Sequence, residues 1–175
     1  MRYKRQHINS IEYLNSQQKI TNKTLQFIDQ LSVKNIAIFL SFDGEISTKN
    51  IIKQLWENKK NIFLPVLHPF SKGHLLFLAY TPSTPMIKNK FGILEPQLNV
   101  QNILPIEELD IIFTPLVAFD KDNNRLGMGG GFYDRTLQYT KIYHFISVGL
   151  AYKWQQVNKL PIESWDQPLN YIITD

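Results

Sequence analysis

Four of the chain's eight glycines fall within five residues, at Gly127, Gly129, Gly130 and Gly131. They follow a polar turn at 120–124 and precede a run compatible with a helix, 132–139. Because glycine lacks a Cβ atom, such a loop lets backbone N–H groups approach a ligand, and the first turn of a helix adds further unpaired N–H groups. The pattern therefore predicts an anion-binding loop that leads into a helix, and phosphate is the anion that suits it.

This glycine loop matches neither of the two common nucleotide motifs. No Lys-Ser or Lys-Thr pair follows the last glycine, as a Walker loop would require, and the spacing does not satisfy G-x-G-x-x-G with its ribose-binding acid about 20 residues onward. Asp134 adds a carboxylate one turn into the helix, where it can cap the helix or hold a divalent ion that bridges phosphate oxygens. A flexible surface turn followed by a capped helix is the alternative interpretation.

Length and composition predict one globular domain over residues 1–175, since 43% of the residues are hydrophobic and 19% are charged. There is no cysteine, which excludes disulfides, thiolate nucleophiles and cysteine zinc sites. No apolar run reaches the roughly 18–20 residues of a membrane span, and the first ten residues lack the apolar core of a signal peptide, so a cytoplasmic protein without membrane contact is expected. The net charge of +4 favours anionic ligands.

Strand and helix patterns alternate along the chain. The segment 36–67 is typical of a βαβ unit with a right-handed crossover, and 62–80 of a hairpin. We therefore predict an α/β fold with a mostly parallel, mixed central sheet, in which ligands gather at the carboxyl ends of the strands. The predicted elements are helical patterns through Ile8–Leu14 and Leu25–Leu31, a helix capped by Ser47 with Lys59 and Lys60 near its end, the helix 132–139, a long irregular loop at 81–100, and strands at 36–40, 62–67, 75–80, 111–113, 145–150 and 171–173.

No residue stands out as a catalytic nucleophile or general base. The four histidines show no metal-ligand spacing, and there is no Gly-x-Ser-x-Gly elbow. The catalytic assignment is therefore left open, and the expected chemistry is positioning and charge stabilisation.

The string Arg125-Leu126-Gly127-Met128-Gly129-Gly130-Gly131-Phe132-Tyr133-Asp134-Arg135 resembles the signature of the 5-formyltetrahydrofolate cyclo-ligase family. The resemblance extends to the segments 40–45, 92–96, 115–120 and 160–169. It implies the family's single three-layer α/β/α domain. It also implies conversion of 5-formyltetrahydrofolate to 5,10-methenyltetrahydrofolate with ATP as co-substrate, Mg²⁺ as cofactor, and release of ADP and phosphate.

The resemblance also implies roles for individual residues. Asp134 and Asp166 would bind Mg²⁺, whereas Leu40 and Glu45 would line the folate site together with Gly129, Gly130, Gly131, Phe132 and Tyr133. The segment 92–96 has no assigned role. ATP would be bound by Arg2, Lys4, Arg5, Arg125, Leu126, Gly127, Met128, Gly129, Gly130, Gly131, Phe132 and Tyr133.

Two other classes of function remain as alternatives. A basic nucleic-acid-binding module would explain the pI near 9.2, but the only basic cluster is the short one at the N-terminus. A sugar-phosphate isomerase or acyl-transfer enzyme on a similar scaffold would use a glycine loop, but it would not need both Asp134 and Asp166. We therefore expect a monomer whose partners are ATP and 5-formyltetrahydrofolate, with or without a polyglutamate tail, and no nucleic acid.

Overall fold

The computed structural model describes the chain from Met1 to Asp175. Short 3-10 turns at 100–102, 106–108, 138–141 and 153–155 supplement the regular elements. The helices are α1 (Arg2–Gln6), α2 (Ser10–Asp29), α3 (Lys49–Glu57) and α4 (Phe132–Leu137). The strands are β1 (Asn35–Ala37), β2 (Asn61–Leu67), β3 (Leu75–Ala79), β4 (Met86–Lys88), β5 (Leu94–Pro96), β6 (Ile103–Leu104), β7 (Ile111–Thr114), β8 (Ala118–Phe119), β9 (Arg125–Leu126), β10 (Ile146–Ala151) and β11 (Tyr171–Thr174).

Seven strands form the central sheet in the order β11-β10-β7-β1-β2-β3-β6. The five strands from β11 to β2 run parallel to one another. At one edge β3 pairs antiparallel with β2, and β6 pairs antiparallel with β3, so β6 again runs in the direction of the five. The prediction of a mostly parallel, mixed sheet is confirmed, as is the hairpin of β2 and β3. Two small hairpins, β4 with β5 and β8 with β9, lie outside this sheet.

Both faces of the sheet are covered. Successive residues of a strand point to opposite faces, so neighbouring residues of one strand show what packs on each side. On one face, Ile36 belongs to a cluster that includes Ile20 of α2 and Ile51 of α3. On the other face, its neighbour Ala37 packs in a second cluster with Leu137 of α4. Helices therefore lie on both sides of the sheet, as the sequence predicts. None of the helices combines the length and the apolar character needed to cross a bilayer.

The N-terminal helices differ from the prediction. The patterns around Ile11 and Leu25 belong to one continuous helix, α2, because no glycine or proline interrupts residues 10–29. Asn9 caps this helix by accepting a hydrogen bond from the Glu12 N–H at 2.9 Å. Ile11 and Leu14 point to solvent, with exposures of 74% and 60%, so they are not part of the core.

The predicted boundaries around α3 were also wrong in detail. Strand β1 ends at Ala37, although the Ile38 N–H still donates to the Phe63 carbonyl at 2.9 Å. Thr48, not Ser47, is the N-cap residue of α3, and its hydroxyl donates to the Phe39 carbonyl at 2.7 Å instead of capping the helix. The Ser47 hydroxyl accepts a hydrogen bond from the Gln17 side chain. Lys60 lies beyond the helix and donates to the Val33 carbonyl at 2.7 Å.

The irregular loop predicted at 81–100 instead contains the β4–β5 hairpin. Glu95 of β5 is 8% exposed, and its carboxylate accepts hydrogen bonds from the Leu67 N–H at 3.3 Å and from the Asn89 side chain at 3.0 Å. The bond from Leu67 holds the hairpin against the end of β2, and the bond from Asn89 lies within the hairpin. The helix predicted at 132–139 ends at Leu137 and continues as a 3-10 turn.

Asp120 joins the β8–β9 hairpin to the C-terminal segment. Its side chain is buried and accepts hydrogen bonds from the N–H groups of Asp122, Asn124 and Leu160 at 3.0–3.1 Å. Burial opposes ionisation of this carboxyl, but hydrogen bonds from Asn124, Leu160 and Asp122 outweigh burial and lower the pKa of Asp120. The connection places the glycine loop next to the segment that carries Asp166.

Candidate active site

A cleft of about 1010 Å³ opens at the carboxyl ends of the parallel strands. Its floor is formed by residues that leave these strands, among them Leu40 after β1, Leu67 at the end of β2 and Pro115 after β7. Half of its 32 lining residues are hydrophobic. The cleft can therefore accept a ligand with a large apolar surface together with charged groups at one side.

The glycine loop forms one wall of this cleft. Gly129 and Gly131 adopt positive φ angles of +82° and +63°, which glycine reaches without a steric penalty. None of the five N–H groups from Gly127 to Gly131 donates to a protein acceptor. A Cβ atom at Gly129 would meet no atom within 4 Å. The loop thus presents unpaired donors in an open space, which is the arrangement that an anion requires.

Arg125 and Asp134 stand at the two ends of the glycine loop and form an ion pair. The Arg125 side chain is 3% exposed, and its guanidinium lies 5.6 Å from the centre of the Tyr133 ring. Burial raises the pKa of Tyr133 above its ordinary value of 10.0. Its hydroxyl is protonated at neutral pH, as that of an unperturbed tyrosine is, and can act as a hydrogen-bond donor. Asp134 keeps one carboxylate oxygen without a protein partner.

Asp166 reaches the same cleft from the C-terminal segment. One of its oxygens accepts a hydrogen bond from the Glu163 N–H at 2.8 Å, and the other has no protein partner. No group of three or more histidine, cysteine, aspartate or glutamate side chains is arranged to hold a metal ion. Two carboxylates with free oxygens nevertheless fit Mg²⁺, which usually takes one or two carboxylates and completes its shell with phosphate oxygens and water.

Leu40 and Glu45 line the opposite part of the cleft. Glu45 follows a tight turn in which its side chain accepts a hydrogen bond from the Phe42 N–H at 3.0 Å. Burial raises the pKa of Glu45 to about 7, against the effects of this hydrogen bond and of the Arg5 charge. The cleft therefore holds a carboxyl group that titrates near neutral pH.

The three basic residues of α1 are placed in three different environments. Arg2 lines the cleft and donates to Asp43 at 2.6 Å. Arg5 is 1% exposed and lies 3.3 Å from the same carboxylate, whereas the Lys4 ammonium lies over the Trp154 ring at 4.6 Å. Burial opposes ionisation of Asp43, but hydrogen bonds from Arg2 and Gln6 prevail and lower its pKa. Of the three, only Arg2 faces the cleft.

Sequence reasoning missed several residues that line the cleft. Phe91, at the tip of the β4–β5 hairpin, meets the ring of Phe132 edge-on at 6.1 Å, and Trp165 precedes Asp166. Arg135 donates to the Gly130 carbonyl at 3.2 Å and so braces the glycine loop. The sequence signal that locates Phe91 is its position directly before the 92–96 segment, which the family resemblance covers without implying a role.

The comparisons with known proteins identify the family of this chain. A sequence model of the 5-formyltetrahydrofolate cyclo-ligase family matches residues 1–175. The chain belongs to the 5-formyltetrahydrofolate cyclo-ligase family. A protein of Haemophilus influenzae called 5-formyltetrahydrofolate cyclo-ligase is 60% identical over 165 residues, which is 94% of this chain and 88% of the relative. The cyclo-ligase of Escherichia coli is 48% identical over 157 residues, which is 90% of this chain and 86% of that relative.

Solved structures of cyclo-ligase relatives agree with the fold. The 5,10-methenyltetrahydrofolate synthetase of Mycoplasma pneumoniae has a TM-score of 0.78 at 27% identity, with 98% of this chain and 92% of that protein covered. The synthetase of Aquifex aeolicus has a TM-score of 0.81 at 26% identity, with 99% and 84% covered. The cyclo-ligase family is a family of ligases, and this chain is therefore an enzyme of that class.

Proposed function

We propose that this protein converts 5-formyltetrahydrofolate to 5,10-methenyltetrahydrofolate, using ATP and Mg²⁺ and releasing ADP and phosphate. Family membership supports the reaction. The structural observation that carries the proposal is the run of five unpaired N–H groups at Gly127–Gly131 in the wall of a large, half-apolar cleft. The cleft needs space for both a nucleotide and a folate, and its volume of about 1010 Å³ is at the upper end for ligand sites.

The phosphate end of the site would lie along the glycine loop. The free N–H groups and Arg125 would hold the phosphate oxygens of ATP, with Arg2 approaching from α1. Asp134 and Asp166 would hold Mg²⁺, which supplies positive charge against the transferring phosphoryl group. Lys4 and Arg5 are not part of this proposal, because neither lines the cleft.

The folate end of the site would lie across the cleft, at Leu40 and Glu45. An ionised Glu45 can accept hydrogen bonds from the N–H groups of a pterin, and Leu40 can pack against its ring. Phe91 and Phe132 offer aromatic surface between the two ends. This arrangement would place the formyl group next to the terminal phosphate of ATP.

The chemistry divides into two steps. The formyl oxygen attacks the γ-phosphate of ATP and ADP leaves, which gives a phosphorylated oxygen on an iminium carbon. N10 then adds to that carbon, phosphate departs with the former formyl oxygen, and the N10 proton is released. The protein contributes alignment of the two substrates and stabilisation of charge, which suits a site without an evident general base.

Absorbance of the methenyl product tests the proposal directly. Purified protein would be mixed with 5-formyltetrahydrofolate, ATP and Mg²⁺, and each component would be omitted in turn. A rise in absorbance that requires every component is the expected result. Absence of a rise with protein shown to be folded by circular dichroism, beside an active relative as positive control, would refute the proposal.

A further inference from the structure

The buried guanidinium of Arg125 depends on one carboxylate. Its side chain is 3% exposed, its acceptor is Asp134 Oδ1, and its Nε is buried without a partner. The Tyr133 ring lies 5.6 Å from the guanidinium. A buried cation that loses its counter-ion is strongly destabilised, so Arg125 holds Asp134 until another anion replaces it.

Asp134 is also one of the two carboxylates proposed to bind the metal ion. Its side chain is 25% exposed and lines the cleft. While Asp134 neutralises Arg125, a divalent cation that approaches the carboxylate also meets the positive charge of the guanidinium. Repulsion between the two cations weakens any binding of the ion to the free protein.

A phosphate group on the glycine loop would change this balance. The unpaired N–H groups of the loop begin two residues after Arg125, and a Cβ atom at Gly127 would lie 3.1 Å from Arg125 Nη1. A phosphate bound to these N–H groups is therefore within reach of the same guanidinium. Planar guanidinium groups bind phosphate oxygens in pairs, so phosphate is a suitable replacement for the carboxylate.

We propose that Arg125 makes the metal site conditional on the nucleotide. In the free protein Arg125 forms an ion pair with Asp134, and its positive charge repels divalent cations. When the phosphates of ATP bind the glycine loop, Arg125 transfers to them, and Asp134 becomes available to the cation. This inference rests on the proposed function and extends it to an order of assembly. Since coupling between two ligands is reciprocal, each would raise the affinity of the other.

Electron paramagnetic resonance of Mn²⁺ tests this exchange without any turnover. The nucleotide-free wild type would be titrated beside R125Q, R135Q and the double variant R125Q/D134N. Arg135 lines the same cleft and braces the same loop, but it does not pair with Asp134, so R135Q controls for the loss of one positive charge. Circular dichroism would establish that each variant is folded.

The expected result is weak Mn²⁺ binding by the nucleotide-free wild type and roughly tenfold tighter binding by R125Q, a typical size for coupling between sites. R135Q should gain much less, and the double variant should lose the gain because Asp134 receives the ion. Equal affinities of wild type and R125Q would overturn the proposal. If R125Q does not fold, the wild type and D134N are compared instead. Tight binding of Mn²⁺ by the nucleotide-free wild type, lost in D134N, would contradict the exchange.

The outcome is separable from that of the proposed function. A protein that forms methenyl product but binds Mn²⁺ equally well with and without Arg125 retains the function and loses the exchange. A protein that shows the exchange but forms no methenyl product retains an anion-gated metal site and loses the proposed reaction.

Discussion

A Cβ atom at residue 44 would lie 2.7 Å from the carbonyl oxygen of Arg5, so Gly44 packs directly against the backbone of α1. Gly44 also has a φ of +73°, and its neighbour Asp43 adopts +52°. Arg2 and Arg5 hold Asp43 from the same helix. Helix α1 therefore fixes the shape of the turn that presents Glu45 to the cleft.

Gly44→Ala should destabilise the protein and weaken folate binding. The left-handed backbone costs an alanine about 1–2 kcal/mol, and the contact with Arg5 adds to this cost. We expect the melting temperature to fall by roughly 5 °C or more, since each kcal/mol corresponds to about 2–4 °C in a chain of this length. The KM for 5-formyltetrahydrofolate should rise as the turn shifts.

Gly92→Ala is the matched control for that change. Gly92 has a φ of +76°, but a Cβ atom there would meet nothing within 4 Å. Gly92→Ala should therefore lose only the stability that the left-handed backbone costs an alanine. Equal losses of stability in the two variants would mean that the contact between Gly44 and Arg5 contributes nothing.

Gly129→Ala should impair ATP binding while it leaves the fold as stable as Gly92→Ala does. Its φ is +82°, and its Cβ would also meet no protein atom, but here the empty space is the cleft. The added methyl group would keep phosphate from the loop N–H groups. We expect the KM for ATP to rise roughly tenfold, equal to about 1.4 kcal/mol of binding. Steady-state kinetics at saturating folate would measure it, and an unchanged KM would exclude this loop as the phosphate site.

Asp166→Asn should raise the Mg²⁺ concentration needed for half-maximal turnover by roughly tenfold or more, because a ligand for the cation loses its charge. Its stability should not change, since an asparagine oxygen can still accept the hydrogen bond from the Glu163 N–H. Glu163→Gln removes the same charge three residues away, outside the cleft, and serves as the control. Identical Mg²⁺ dependence in the two variants would contradict a metal-binding role for Asp166.

The position of the site could be predicted because it depends on strand direction and on glycine. Parallel strands bring their carboxyl ends to one edge, so Leu40, Pro115 and the glycine loop converge whatever the details of packing. The signature residues from Arg125 to Asp134 are adjacent in sequence, and local structure alone keeps them together. Asp166 followed from the resemblance, and the structure places it on the same cleft.

The roles within α1 could not be read from charge alone. Arg2, Lys4 and Arg5 look equivalent in sequence, but α1 packs on the 41–45 turn and buries Arg5 while Arg2 stays at the cleft. That difference arises from tertiary packing. The β4–β5 hairpin was missed for a related reason, since its three-residue strands are too short for a clear period and Glu95 is fixed by contacts with distant residues.

Glu45→Gln should stabilise the protein at high pH and weaken its binding of folate. Burial raises the pKa of Glu45 from its ordinary value of 4.5 to about 7, so the folded protein holds a proton that the unfolded chain releases between these values. The contribution of Glu45 to stability is therefore greatest below pH 4.5, declines as the pH rises through 7, and stays low above it. Glutamine cannot ionise, so the free energy of unfolding of the variant should exceed that of the wild type by about 1–3 kcal/mol at pH 8.5 and by progressively less toward pH 5.

Urea unfolding across this pH range measures the difference in stability. The KM for 5-formyltetrahydrofolate at pH 8.5 should rise, because a neutral amide accepts hydrogen bonds from the pterin N–H groups less strongly than a carboxylate does. A stability difference that does not vary with pH would show that folding leaves the pKa of Glu45 unchanged.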